Sequence, residues 1–277
     1  MGALLAPVAL DLLRLCAWLV VLLALFVPLE RYCPLHPQKV FRKDVAADLG
    51  YFFLGGIVPK LLLILPLSLL SAGLHHFVPS PYYAAVAELP LWLRLIAAMF
   101  VGEVGAYWAH RWAHDLPLLW RFHAIHHSAE QIDWLVNSRG HPLDLAFTRL
   151  CSLAPMYALG LAQPTGNSPD LVPILITLTG TFWGFFIHAN VRWRYGWLEN
   201  LVSTPAFHHW HHANDGPGLV YQNFSPILPW VDRLFGTFYL PPRAWPRLYG
   251  SDTPVAPTLS GQLLEPLLSR TSPIPPR

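Results

Sequence analysis

Fourteen of the 277 residues are histidine, about twice what an average composition would supply. Eleven of them lie between His110 and His212, most in three tight groups: His110-Arg-Trp-Ala-His114, His123-Ala-Ile-His126-His127 and His208-His-Trp-His211-His212. Neutral imidazole is the commonest transition-metal ligand, whereas crowded protonated imidazoles would repel one another. Residues four apart share a helix face, so each group can aim at least two imidazoles at one point. A lone pair of this kind is more often a partly exposed helix end, and a single cluster could be a pH-sensitive patch. Three groups together make both readings improbable. A zinc-protease motif fails because Arg111 stands where the general-base Glu would be needed. His188, in His188-Ala-Asn190, is a ninth candidate ligand; His141 and His209 either support a ligand or sit at the surface. Eight or nine imidazoles exceed the needs of one ion, or of a closed four-ligand zinc site, and suit two ions with positions left open for oxygen. Iron, zinc and copper all accept such donors.

Upstream, Glu103 and Tyr107 precede His110 by seven and three residues and fall on its helical stripe. A carboxylate inside an apolar helix is costly, about 2.5–3.5 kcal/mol on insertion scales for Asp, and usually marks function. Glu103 is therefore expected to accept an N–H bond from a ligating imidazole, fixing its tautomer. Glu103 and Tyr107 are grouped with the catalytic residues.

The elements that must position these groups are apolar. Hydrophobic residues make up 54% of the chain and charged ones 12%, against about 25% charged in soluble domains. A net charge of +2 leaves no footprint for nucleic acid. Three separated cysteines, Cys16, Cys33 and Cys151, form neither a disulfide framework nor a thiolate site. Val8–Leu29 is long enough to cross a bilayer and lacks the flanks of a cleaved signal peptide. Leu49–Leu74 follows, with Lys60 awkwardly inside it, and then Leu91–Ala109. Leu143–Leu161 and Leu171–Phe186 read as a hairpin joined by 162–170. The fold class is all-α: a polytopic transmembrane protein of four to five spans or re-entrant segments with a histidine-rich helical cap. The linker Glu30–Asp44 carries four basic residues and the histidine-bearing segments carry more, while the loops at the opposite end carry none. By the positive-inside rule the cap is cytoplasmic and the N-terminus outside, in a bacterial inner membrane or endoplasmic reticulum. From Pro241 the chain is Pro-rich and expected to be extended or poorly ordered.

The ordered series His110-Arg-x-x-His114, His123-x-x-His126-His127-Ser128, His188-x-Asn190 and His208-x-x-His211-His212 resembles the sterol desaturase / fatty acid hydroxylase superfamily of integral-membrane di-iron oxygenases. Glu103-x-x-x-Tyr107, Pro205 and Trp230-Val-Asp-Arg-Leu-Phe-Gly-Thr-Phe238 extend the likeness over about residues 95–240. The resemblance implies that His110, His114, His123, His126, His127, His188, His208, His211 and His212 bind two iron ions, with zinc as a possible occupant of purified samples. It also implies a lipid substrate of sterol or fatty-acyl type drawn from the bilayer, O2 as co-substrate, and hydroxylation or desaturation. No cytochrome or flavin segment is recognisable in the chain, so electrons would come from a separate donor of cytochrome b5 or ferredoxin type. The organisation expected is N-terminal transmembrane helices over 1–90, a catalytic domain over 91–240 and a tail over 241–277. The rival, a non-enzymatic histidine-rich metal-binding or transport protein, would need polar residues along its spans. Only Glu103, Lys60 and a few end charges are there.

Overall fold

In the computed structural model, which describes residues 2–162 and 171–268, every long apolar run is helical. The chain order is α1 (Gly2–Tyr32), α2 (Val45–Phe77), α3 (Ser80–Ala87), α4 (Leu91–Asp115), α5 (Pro117–His127), α6 (Pro142–Ala158), α7 (Leu171–His188), α8 (Pro205–His211), α9 (Pro229–Phe235) and α10 (Leu259–Leu268). Several of the chain's 28 prolines stand at these boundaries. Proline stands in the first turn of α3, α5, α6, α8 and α9, where its missing N–H costs nothing and its fixed φ suits the helix.

Four helices, α1 from Val8 onward, α2, α4 and α7, are long and apolar enough to cross a membrane. Their outer faces expose side chains such as Leu13, Val20, Leu65, Leu69, Ile96 and Leu178, which suit acyl chains rather than water. The fifth segment, expected over Leu143–Leu161 as one arm of a hairpin, is the 17-residue α6. It rises about 25 Å, at the short limit for a span. Its direction matches the hairpin. His141 caps its start, and at its far end the Leu159 carbonyl accepts a bond from Tyr82 of α3 at 3.2 Å. The turn at 163–170 and the last residues, 269–277, lie outside the described residues.

Close backbone contact sets the crossing of α4 over α6. A Cβ on Gly105 would lie 2.1 Å from the Cys151 carbonyl oxygen, and one on Gly102 would meet Met156. Beside them, Leu22, Phe26, Phe52, Trp134 and Phe185 form an apolar core between α1, α2, α7 and the short turn Trp134–Ser138. Phe26 and Trp134 stack at 5.9 Å.

Polar anchors lie at the histidine end. Arg42 donates to Asp133 at 2.6 and 2.7 Å and to Asp48 at 2.7 Å, and Arg139 donates to Asp48 at 2.6 Å. All four side chains are buried, and such a network persists only because each charge is paired. Glu30, at the end of α1, accepts from the Trp134 and Asn190 backbone N–H groups at 2.8 and 2.9 Å. Lys60 follows Pro59 inside α2 and pairs with Asp11 of α1 at 3.4 Å.

The segment after Pro241 departs from the expectation of a poorly ordered tail. The Trp120 indole donates to Thr253 at 3.0 Å, Tyr249 pairs with His209 at 2.9 Å, and Tyr51 of α2 donates to Gln262 of α10 at 3.0 Å. Proline-rich composition removed helical periodicity without removing buried partners.

Candidate metal centre

The three boxes fold as helical turns that face one another. His110 and His114 end α4, His123, His126 and His127 end α5, and His208 and His211 lie on α8 with His212 at its end. His188 closes α7. All nine converge, but in two groups. His110, His114, His123, His127 and His211 form one; His126, His188, His208 and His212 form the other. Within each group the candidate ligand atoms lie within 4.8 Å of one another. The groups adjoin, with ring centroids of His127 and His212 4.5 Å apart and those of His208 and His211 5.3 Å apart.

This division gives a physical reason for the H-x-x-H-H spacing. In α5, the i,i+4 pair His123 and His127 serves the first group, while His126 turns to the second. The α8 box does the reverse: His208 and His212 serve the second group and His211 the first. Each box thus gives two imidazoles to one group and one to the other.

Hydrogen bonding fixes which ring nitrogen faces the centre. Nδ1–H donates to a carbonyl in four cases: His110 to Phe224 at 2.7 Å, His126 to Arg139 at 2.9 Å, His188 to Gly184 at 2.7 Å and His211 to Gln222 at 2.7 Å. His123 Nδ1 instead meets the Asp144 carboxylate at 2.9 Å. The opposite nitrogens are left facing inward. Nε2 of His110, His123, His127 and His211 is buried without a hydrogen-bond partner, as are both ring nitrogens of His114. In the second group, Nε2 of His188 lies 3.3 Å from that of His126 and 3.0 Å from that of His208. Buried acceptors without donors are costly, and a cation between them removes that cost. The donor set therefore fits two metal ions, with the backing bonds that orient metal-binding imidazoles. Burial, with the neighbouring imidazoles adding to it, holds His127, His208, His211 and His212 well below the usual imidazole pKa, and His126 down to about 4. They are neutral, the form that binds metal.

Glu103 needs correction. Its carboxylate is buried on the predicted stripe, but Oε1 accepts from the Ile227 and Leu228 backbone N–H groups, each at 2.7 Å. Seven residues of helix rise about 10 Å, so sharing a stripe with His110 does not bring the carboxylate to its ring. Tyr107 likewise bonds Thr237 at 3.0 Å and receives Arg111 at 3.0 Å. Both residues anchor the chain after the last box. That chain matters because it supplies the carbonyls of Gln222 and Phe224. Asp232 holds it too, accepting from the Phe224 and Ser225 N–H groups at 2.8 and 2.9 Å. His141 caps α6 and bonds the Leu263 carbonyl at 3.1 Å, and His209 bonds Tyr249 and the Ala189 carbonyl. Both are buried and lie outside the two groups. Sequence reasoning missed Asp144, whose signal was a single carboxylate at the head of an apolar run.

Comparison with known proteins decides the family. The fatty acid hydroxylase profile matches residues 95–237, a stretch that holds all nine histidines. The chain belongs to the fatty acid hydroxylase family. Among curated relatives, the ornithine lipid hydroxylase OlsE of Rhizobium tropici is 34% identical over 195 residues, covering 69% of this chain and 53% of that protein. Alkylglycerol monooxygenase of Danio rerio is 32% identical over 180 residues, 65% of this chain and 36% of the relative. The Homo sapiens alkylglycerol monooxygenase is 32% identical over 140 residues, 50% and 29% respectively. The chain thus matches about half the length of the first relative and about a third of the others. No solved structure matches it significantly. Within this family, the histidine boxes, the helical architecture and the membrane-length helices form one consistent set.

Proposed function

We propose that this fatty acid hydroxylase family member is an integral-membrane, O2-dependent lipid monooxygenase with two iron ions held by the nine histidines. The observation that carries this reading is the pair of adjacent imidazole groups, each with its candidate ligand atoms within 4.8 Å of one another and with Nδ1 of His110, His123, His126, His188 and His211 held from behind by a carbonyl or carboxylate. Two bound iron ions would supply reduction of dioxygen and oxidation of an unactivated C–H bond. In the overall reaction one oxygen atom enters the C–H bond and the other leaves as water, with two electrons and two protons consumed.

The protein's part follows from its own residues. The carbonyls of Phe224, Arg139, Gly184 and Gln222 hold four rings in one tautomer and one orientation, so no reorganisation is needed during turnover. The apolar flanks of α2, α4 and α6 lead from the bilayer to the ends where the boxes lie, which suits a substrate arriving along the membrane. The relatives named as a hydroxylase and monooxygenases favour hydroxylation over desaturation. They also favour a lipid with a polar head group over a sterol. Electrons come from a cytochrome b5-like or ferredoxin-like donor. The loop charges favour a cytoplasmic side for the boxes, and the donor would then approach from there.

Purified protein in lipid nanodiscs should carry two metal ions per chain and, with iron, a donor system and lipid, consume O2 and give a hydroxylated lipid. Two bound ions without lipid-dependent oxygen uptake would favour the metal-binding or transport reading. Cysteines introduced in Glu30–Asp44 and near Gly250 should be labelled from the same side; labelling from opposite sides would overturn the topology.

A further inference from the structure

We propose that Asp144 is a positioning residue that makes the two histidine groups unequal, giving the five-histidine group the tighter hold on its metal. The inference rests on the reading of both groups as metal sites.

Among the described residues, His123 is the one member of the nine whose Nδ1 faces a carboxylate; the other recorded Nδ1 partners in the two groups are backbone carbonyls. Asp144 is buried in the first turn of α6, and its recorded partner is His123 Nδ1 at 2.9 Å. The other buried carboxylates at this end are satisfied differently. Asp48 and Asp133 lie on arginines, Glu199 on Arg194, and Asp232 on two backbone N–H groups and a hydroxyl. Asp144 has no arginine or lysine among its recorded partners. The helix N-terminus offsets a buried negative charge only in part. The remaining compensation lies on the far side of the imidazole. His123 Nε2 is buried and unpartnered and points among His110, His114, His127 and His211. A cation there would complete a carboxylate–imidazole–metal line, in which the carboxylate raises the basicity of the ring. The four-histidine group has carbonyl backing at His126 and His188 and no carboxylate recorded on any ring. It also has one imidazole fewer.

The test uses the full chain, stripped of metal, in nanodiscs and titrated with Co2+, whose visible absorption reports nitrogen coordination without turnover. Wild type should bind two ions in two steps. His127→Ala should remove the tight step and His188→Ala the weak one, which assigns the steps independently of Asp144. Asp144→Asn keeps the shape and an acceptor oxygen but loses the charge. It should weaken the tight step about 10–100-fold and leave the weak step in place. A tight step that survives His127→Ala, equal affinities in wild type, or an Asp144→Asn isotherm that is unchanged or weakened equally at both steps would overturn the proposal. Should Asp144→Asn not fold, the two histidine variants still decide which group is tighter. No Co2+ binding by wild type would instead overturn the underlying reading of the groups as metal sites.

Discussion

Replacing Glu103 separates anchoring from charge. Its Oε1 receives two backbone N–H bonds, from Ile227 and Leu228, at 2.7 Å each. Gln offers a carbonyl oxygen of the same reach, so Glu103→Gln can keep both bonds. Leu keeps bulk and helix propensity but leaves both donors unanswered in an apolar setting. An unsatisfied buried donor costs about 1–3 kcal/mol, so Glu103→Leu should lose about 2–6 kcal/mol. The damage should spread along the anchored chain. Three to four residues upstream of these N–H groups stands Phe224, whose carbonyl fixes His110. The assay is a denaturation midpoint together with metal retained after dialysis against a weak chelator. Glu103→Leu should lose both stability and metal, whereas Glu103→Gln should retain two ions and most of the stability. Should Glu103→Gln lose metal as fully as Glu103→Leu, the carboxylate charge itself would be required and the anchoring argument would fail.

Gly105→Ala would drive a Cβ to 2.1 Å from the Cys151 carbonyl oxygen, so it should destabilise by about 1–3 kcal/mol or more. Gly180→Ala, which meets nothing within 4 Å, should be neutral or stabilising, and paired unfolding midpoints compare the two. Arg139→Met leaves Asp48 with Arg42 alone and should cost about 3–5 kcal/mol, measured by the same unfolding. In the metal-free protein, burial holds His126 down to about 4 and His209 to about 3, whereas unfolded imidazoles titrate near 6.5. Between those values the unfolded chain binds more protons. Stability should therefore hold above about 6.5 and fall as pH drops toward 4 and then 3, by about 1.4 kcal/mol per pH unit for each such histidine. A flat stability profile across that window would contradict it.

Which features could be read from the chain depends on how far apart the cooperating residues lie. Long apolar runs carry their own length, so the helices and the membrane character were legible, with α6, at 17 residues, at the short limit for a span. Histidines four apart declare a shared face, and the boxes were legible for that reason. What periodicity cannot hold is which distant backbone group meets which ring. His110 finds its partner 114 residues on and His126 finds its partner 13 residues on. Glu103 shows the same limit from the other side. A stripe says that residues share a face and nothing about whether a side chain spans the rise between turns.

The unequal sizes of the two groups also have a local cause. The two H-x-x-H-H boxes contribute equally, two rings and one to each side, so they give three imidazoles to each group. α4 then adds His110 and His114, four apart, to one group, and α7 adds His188 alone to the other. A matching pair on α7 would need a second histidine at position 184, which is glycine. A Cβ on Gly184 would lie 2.5 Å from the Asn137 Oδ1 atom, so a side chain there would first have to displace the Asn137 amide. The Gly184 carbonyl instead receives His188 Nδ1 at 2.7 Å. The glycine whose carbonyl orients the fourth imidazole is thus also the residue on which the Asn137 amide packs. Were each group to hold one ion as proposed, four imidazoles would leave more of that ion's coordination positions open than five.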